Sequence, residues 1–97
     1  MRIVTYTAIK EFVKKHADSD TALKEWYHKV KKQEWESINE LKNTFASADY
    51  VGNNREVFNV KGNNYLVVCI VIYASKKVYI RFIGTHAEYD KIDCKNI

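Results

Sequence analysis

A run of nine apolar or aromatic residues, 65–73, constrains the fold of this chain more than any other part of its sequence. Five of the nine are valine or isoleucine, whose branched side chains favour an extended backbone. A strand without alternating polar residues is typical of the middle of a sheet, where both faces are covered. A helix that spans a bilayer needs about 20 apolar residues, so this run is too short to be one. The sequence therefore predicts a central strand that is buried on both faces.

Two shorter strands are expected on either side of this run. Residues 57–60 read as one strand, and the Lys-Gly-Asn-Asn segment at 61–64 is rich in residues that tolerate positive φ, as turns require. Residues 78–83 form the other. In that strand we expect the even-numbered residues, including Phe82, on one face, and the odd-numbered residues, including Arg81 and Ile83, on the other.

The first half of the chain has a helical period instead. A short β-prone stretch at 2–6 precedes two amphipathic segments separated by the polar residues 18–20. Thr5 or Thr7 is expected to cap the first helix. A third, shorter helix is expected around 38–45. The apolar stripes of the first two segments are Ile9, Phe12, Val13 and His16, then Leu23, Trp26, Tyr27 and Val30.

These elements predict an α+β fold. A short N-terminal strand and two to three helices should pack on one face of an antiparallel sheet of about four strands. A hydrophobic content of 46% is sufficient for one core, and no proline-, glycine- or serine-rich linker marks a boundary, so we expect a single domain over residues 1–97.

The cysteine content and the first six residues argue against a disulfide-rich, a metal-binding or a secreted protein. The only two cysteines, Cys69 and Cys94, form neither a disulfide framework nor a metal motif, and Cys69 is expected to be a small buried hydrophobe. We expect no metal and no cofactor. Residues 1–6 lack the long apolar stretch of a signal peptide, which indicates a soluble cytoplasmic protein.

The positive charge is distributed unevenly along the chain. Residues 1–50 contain nine Lys or Arg and eight Asp or Glu, whereas residues 51–81 contain five basic residues and one acidic residue. A surface that faces phosphate is one interpretation of this asymmetry. Solubilising lysines on turns and strand edges are the other, and charge alone does not decide between them.

Two blocks in the second half resemble a known family. Residues 56–65, Glu-Val-Phe-Asn-Val-Lys-Gly-Asn-Asn-Tyr, are similar to the F-N-x-x-G-N signature of HigB toxins. Residues 78–90, Val-Tyr-Ile-Arg-Phe-Ile-Gly-Thr-His-Ala-Glu-Tyr-Asp, are similar to the closing motif of that family, Y-I-R…T-H-x-E-Y-D. The blocks have the order and spacing of the family, whereas the N-terminal half agrees only in its pattern of elements.

The resemblance implies a RelE-like fold and the toxin of a type II toxin–antitoxin system. It implies an mRNA interferase, a ribosome-dependent endoribonuclease that inhibits translation by driving the 2′-hydroxyl onto the phosphodiester without a metal. The expected partners are a HigA-like helix-turn-helix antitoxin, the ribosome and mRNA. DNA would be contacted only through the antitoxin complex, and no membrane would be involved.

The sequence departs from the family at Leu66, where many members have arginine. Another basic residue could replace that arginine, or the chain could be a weakened toxin. Two further alternatives are a ribosome- or RNA-binding inhibitor that does not cleave and a domain that only forms complexes. If Leu66 occupies the position of a functional arginine that this chain lacks, Leu66→Arg should raise the rate of cleavage.

The candidate catalytic residues are Arg81 and His86. Attack by the 2′-hydroxyl needs a proton acceptor, positive charge at the phosphorane and a proton donor for the leaving oxygen. A guanidinium is always charged, and an imidazole exchanges protons near neutral pH. Arg81 could instead reach solvent or pair with Glu56. Thr85 and Glu88 also fit a capping box, in which His86 would be incidental.

The candidate RNA-binding residues are basic, amide or aromatic, and they are Asn59, Lys61, Asn63, Lys76, Lys77 and Tyr89. Lysines attract phosphates, asparagine amides contact bases or sugars, and tyrosine stacks on bases. The alternatives are a solvated turn for Lys61 with its asparagines and a hydrophobic lid for Tyr89. We expect His16 and His28, which lie in helical segments, to be at the surface or half-buried.

Overall fold

The computed structural model describes residues 1–62 and 64–97 and confirms the α+β class. Asn63 lies outside the described residues. No helix in the described part of the chain combines the length and the apolar character needed to cross a bilayer. In chain order, the elements are β1 (Arg2–Ile3), α1 (Tyr6–Lys15), a 3-10 helix (Ala17–Ser19), α2 (Asp20–Lys31), α3 (Ile38–Thr44), β2 (Asp49–Gly52), β3 (Arg55–Val60), β4 (Tyr65–Ile72), β5 (Lys77–Thr85) and α4 (His86–Tyr89).

The strands form one sheet in the order β1-β5-β4-β3-β2. β4 pairs antiparallel with both β3 and β5, as expected for the apolar run. The sheet has five strands instead of about four, and it is mixed because β1 runs parallel to β5. The additional strand is β2, which a turn at Asn53 and Asn54 joins to β3. Both asparagines have positive φ, and such turns match the twist of a hairpin.

Both faces of β4 are covered. The helices and one face of the sheet enclose the main core, which contains Val67, Cys69 and Val71 of β4. Burial raises the pKa of the Cys69 thiol well above its usual value, as for an inert buried cysteine. On the other face, Leu66 and Val68 join Val57 in a second cluster. The C-terminal segment packs against this second cluster through Tyr89, Ile92, Cys94 and Ile97.

A β-bulge at Arg81 changes which residues of β5 face the helices. Cys69 lies opposite Ile80 and Val68 lies opposite Phe82, so Arg81 is an additional residue without a partner on β4. Phe82 consequently packs in the second cluster. Ile83 packs against the main core. The prediction of a simple alternation along 78–83 is therefore wrong, because a bulge inserts one residue and shifts the pattern beyond it.

Thr5 attaches α1 to β5 next to this bulge. Its hydroxyl accepts a hydrogen bond from the Ile80 N–H at 2.7 Å and donates to the Ile80 carbonyl at 3.2 Å. Thr5 precedes α1 but makes no side-chain cap hydrogen bond, and Thr7 lies within the helix. Thr5 is therefore the N-cap residue of α1, as predicted, but its side chain does not cap the helix. The hydroxyl instead takes over the pairing with β5 where β1 ends, and it holds α1 beside Arg81.

Candidate active site

A groove of about 390 Å³ lies between α1 and β5, and we call it the α1–β5 groove. It is open at this place because Thr5 fixes the start of α1 to Ile80, while the bulge turns Arg81 toward the same side. Glu88 of α4 completes the lining. The residues of the two walls are Ala8, Glu11, Phe12, Lys15 and His16 on the α1 side and Ile80, Arg81, Phe82 and Ile83 on the β5 side.

Arg81 brings its guanidinium to a groove that is also lined by the carboxylates of Glu11 and Glu88. Its side chain is exposed, and it forms no salt bridge with any of the residues that the structure describes. The alternative partner, Glu56, is buried, and its carboxylate oxygens have no hydrogen-bond partner within the described residues. A planar guanidinium that is not held in a salt bridge is well suited to bind a phosphate.

The structure adds His16 to this site. Its ring stacks on Phe12 with a centroid separation of 4.4 Å and packs edge-to-face with Tyr65 at a centroid separation of 5.5 Å. The backbone of His16 is held between α1 and the 3-10 helix, because its carbonyl accepts a hydrogen bond from the Ser19 hydroxyl at 2.6 Å. The sequence contained a signal for this placement. His16 continues the apolar stripe of α1 four residues after Phe12, so it had to face the sheet.

A hydrogen-bonded cluster connects this end of the groove to the β3–β4 turn. The Asp18 carboxylate accepts a hydrogen bond from the Tyr65 hydroxyl at 2.7 Å and pairs with the Lys61 ammonium at 2.8 Å. The hydrogen bond from Lys61, followed by that from Tyr65, lowers the pKa of Asp18. The hydrogen bond to Asp18 raises the pKa of Tyr65. Lys61 is therefore linked through Asp18 to Tyr65, whose ring packs against Phe12 of the groove wall, and its charge is partly compensated by Asp18.

α4 carries His86 and Glu88, of which only Glu88 lines the groove within the described residues. His86 is the exposed first residue of the helix. The capping box is present, since the Glu88 N–H donates to the Thr85 hydroxyl at 3.2 Å and the Thr85 N–H donates to the Glu88 carboxylate at 2.9 Å. The hydrogen bond from the Thr85 backbone is the largest cause that lowers the pKa of Glu88, and His16 is a smaller one.

Three of the RNA-binding candidates are engaged in structural contacts or lie at the far end of β5. The Asn59 amide donates to the Ser47 carbonyl at 3.2 Å. The Lys76 ammonium pairs with Glu36 at 3.0 Å. Lys77 begins β5, at the opposite end of the strand from His86. The structure therefore does not bring these three residues to the α1–β5 groove.

Tyr89 and Leu66 both belong to the second cluster, on the other face of the sheet. The Tyr89 hydroxyl donates to the sulfur of Cys94 at 3.5 Å, and this hydrogen bond, with burial as a smaller cause, raises the pKa of Tyr89 to about 12. This packing favours the lid interpretation of Tyr89. Leu66 is 3% exposed. An arginine at this position would therefore be attached to the backbone among buried apolar side chains and would not belong to the lining of the groove.

Comparison with known proteins identifies the family of the chain. The family model described as HigB toxin, RelE-like toxic component of a toxin–antitoxin system, matches residues 19–92. The "mRNA interferase toxin HigB" of Escherichia coli (strain K12) is 36% identical over 93 residues, which cover 93% of this chain and 88% of that protein. The "mRNA interferase HigB" of Escherichia coli O6:H1 is 28% identical over 94 residues, which cover 95% of this chain and 91% of that protein.

These matches agree with the observed α+β fold. The fold, with its helices on one face of a sheet, and the matched segment make it a RelE-like toxic component of a toxin–antitoxin system. Within that class, the chain belongs to the HigB toxin family. Its partner is accordingly an antitoxin.

Proposed function

We propose that this chain is an mRNA interferase, an endoribonuclease that cuts mRNA on the ribosome in the cytoplasm and so inhibits translation. The relatives at 36% and 28% identity carry that name. The observation that carries the proposal is the unpaired Arg81 guanidinium in a groove that it shares with His16. The antitoxin would be a HigA-like helix-turn-helix protein, through which alone the complex would contact DNA.

The proposed reaction uses Arg81 and two histidines. Arg81 binds the scissile phosphate and stabilises the negative charge that develops on the phosphorane oxygens. One imidazole removes the proton of the 2′-hydroxyl while the bond from the 2′ oxygen to phosphorus forms. The other protonates the 5′ oxygen while its bond to phosphorus breaks, which leaves a 2′,3′-cyclic phosphate and a 5′-hydroxyl. We assign these roles to His16, which lines the groove, and His86, whose helix also contributes Glu88 to it.

The basic residues outside the groove contribute to RNA binding in this proposal. Lys61 is linked to the groove wall through Asp18 and Tyr65, and it would attract the RNA backbone after exchanging Asp18 for a phosphate. Lys76 and Lys77 would supply sequence-independent attraction to ribosomal RNA and message. Asn59 and Tyr89 would need to break their present hydrogen bonds to reach RNA, so we assign them a minor role in RNA binding.

Primer extension on a reporter mRNA tests the proposal. Purified chain is added to a translating system and, separately, to the same mRNA without ribosomes. We expect cuts within the translated region only, with cyclic phosphate at the new 3′ ends. Arrested translation with intact mRNA would support the non-cleaving inhibitor instead. Unchanged translation together with intact mRNA would contradict both functions.

Substitution of either histidine is expected to slow cleavage by about 100-fold, a typical contribution of one general acid or base. A cleavage rate that depends on both groups should show a bell-shaped pH profile, and His16→Ala or His86→Ala should each remove one limb of it. Single-turnover cleavage across the pH range measures this. The exposed His28 on the outer side of α2 is the matched control, and His28→Ala should leave the profile unchanged. A variant at His16 or His86 that keeps both limbs would remove that residue from the mechanism.

Leu66→Arg is expected to destabilise the fold. From the sequence alone, faster cleavage was the expected result of this substitution. An arginine at this 3% exposed position would place an unpaired charge among Val57 and Val68, at a cost of about 3 kcal/mol in the free energy of unfolding. Urea unfolding measures the loss, and Leu66→Met, which conserves volume, is the control. A stable Leu66→Arg variant that cleaves faster would mean that the active site extends to the second cluster.

A further inference from the structure

A second cavity, with no role in the proposed cleavage, lies at the β2 edge of the sheet. Its volume is about 370 Å³, and we call it the Glu56 pocket. Glu56 lines it although that residue is only 1% exposed. The other lining residues are Ile38, Tyr50, Asn54, Val71 and Tyr73.

The Glu56 carboxylate is buried without a hydrogen-bond partner. Neither of its oxygens accepts a hydrogen bond from any residue that the structure describes. The cation whose field acts on it is Lys42, but the Lys42 ammonium donates to the carbonyls of Ala46 and Ala48. A buried acceptor without a donor is costly and rare in folded proteins. The two oxygens are unused acceptors that are shielded from solvent in this structure, so a ligand that brings its own donors must displace part of the pocket wall to reach them.

The walls of the pocket suit a cation on an apolar stem. Two tyrosine rings line it, and the hydroxyl of Tyr50 accepts a hydrogen bond from the Asn54 N–H at 3.4 Å, which orients that ring. Aromatic faces attract cations, and the apolar side chains of Ile38 and Val71 can contact methylene groups. A carboxylate and two tyrosines that line the same pocket are a combination that recognises guanidinium or ammonium groups.

We propose that the Glu56 pocket binds an arginine side chain of the antitoxin, with the guanidinium on the Glu56 carboxylate and the alkyl stem between Tyr50 and Tyr73. Arginine is favoured over lysine because its planar group donates to both carboxylate oxygens and is more weakly hydrated. A nucleotide is disfavoured because Asp49 adds negative field at Glu56, which repels phosphate. The proposal holds whether or not the chain cleaves RNA.

Binding of arginine should depend on pH. Burial raises the pKa of Glu56 to about 7, with a smaller raising effect from Asp49 and an opposing effect from Lys42. A cation binds the ionised carboxylate, so affinity should rise as the pH increases through about 7 and should level off above it. The titratable groups around the carboxylate are Lys42 of α3, Asp49 and Tyr50 of β2, Cys69 of β4, and Tyr73, which directly follows β4.

Titration of the free chain with Nα-acetylarginine amide, followed by NMR, tests the pocket. We expect shifts at Glu56, Tyr50 and Tyr73 that saturate, and at least about tenfold weaker binding of the citrulline analogue, in which a neutral urea replaces the guanidinium. Glu56→Gln should weaken binding of arginine by a similar factor and should remove its pH dependence. Tyr50→Ala, at a ring that is 53% exposed, should weaken binding without disturbing the core.

The same titration on the purified toxin–antitoxin complex tests the occupant. We expect no shifts at the pocket there, because the arginine of the antitoxin already fills it. Equal binding of the probe to the complex and to the free chain would overturn the assignment of the antitoxin. Equal affinity for the citrulline analogue, or stronger binding of guanosine 5′-monophosphate, would overturn recognition of arginine. Cleavage by Glu56→Gln, measured in parallel, separates this result from a failure of the nuclease proposal.

Discussion

Arg81→Ala is expected to lower the rate of mRNA cleavage by about 100- to 1,000-fold, the usual effect of removing one preorganised donor from a transition state. The side chain is exposed and forms no salt bridge within the described residues. Its loss should therefore change the free energy of unfolding by no more than about 0.5 kcal/mol. Single-turnover cleavage on ribosomes and urea unfolding measure the two quantities.

Two further variants separate the geometry of Arg81 from its charge. Arg81→Lys retains the charge but loses the planar pair of donors, so we expect it to recover only part of the activity. Lys77→Ala removes a positive charge from the start of the same strand, outside the groove. It should weaken binding in a salt-dependent way and leave the rate at saturation unchanged. Cleavage at the native rate by Arg81→Ala would show that the α1–β5 groove is not the active site.

Glu56→Gln is expected to make the chain more stable than the native one near neutral pH. Burial raises the folded-state pKa of Glu56 to about 7 from an ordinary value of 4.5. The folded chain therefore binds this proton more tightly than the unfolded chain, and the native free energy of unfolding falls as the pH rises between these two values. Glutamine does not titrate. Its advantage should grow by about 3 kcal/mol from about pH 4 to about pH 8.

Urea unfolding of both chains across this pH range checks the prediction. The matched control is Glu34→Gln, at an exposed carboxylate, and it should follow the native curve. If native and Glu56→Gln curves run parallel from acid to neutral pH, the Glu56 carboxyl titrates normally in the folded chain. The pocket would then hold solvent that satisfies its oxygens.

Much of the architecture could be predicted because it depends on local patterns. The run at 65–73 is central in the sheet because residues that are apolar on both faces of a strand can be buried only there. The apolar stripe of α1 likewise determines which side of that helix faces the sheet. The two blocks that resemble HigB toxins were also visible in the sequence, and the family they suggested is confirmed.

The candidate site depended on pairings between distant parts of the chain. The bulge at Arg81 exists only in the register of β5 against β4, so alternation along 78–83 could not reveal it. The hydroxyl of Thr5 reaches Ile80 across 75 positions of sequence. His16 shares a groove with Arg81 as a result.

The spacing of residues along single segments was sufficient to predict the fold class, the central strand, the helical stripes and the family. Contacts between segments decide the direction of Arg81, its partnership with His16, the burial of Leu66 and the unpaired state of Glu56. Hydrophobic periods record which side of a segment is buried. Strand register and hydrogen bonds between distant segments decide what each buried or exposed group meets.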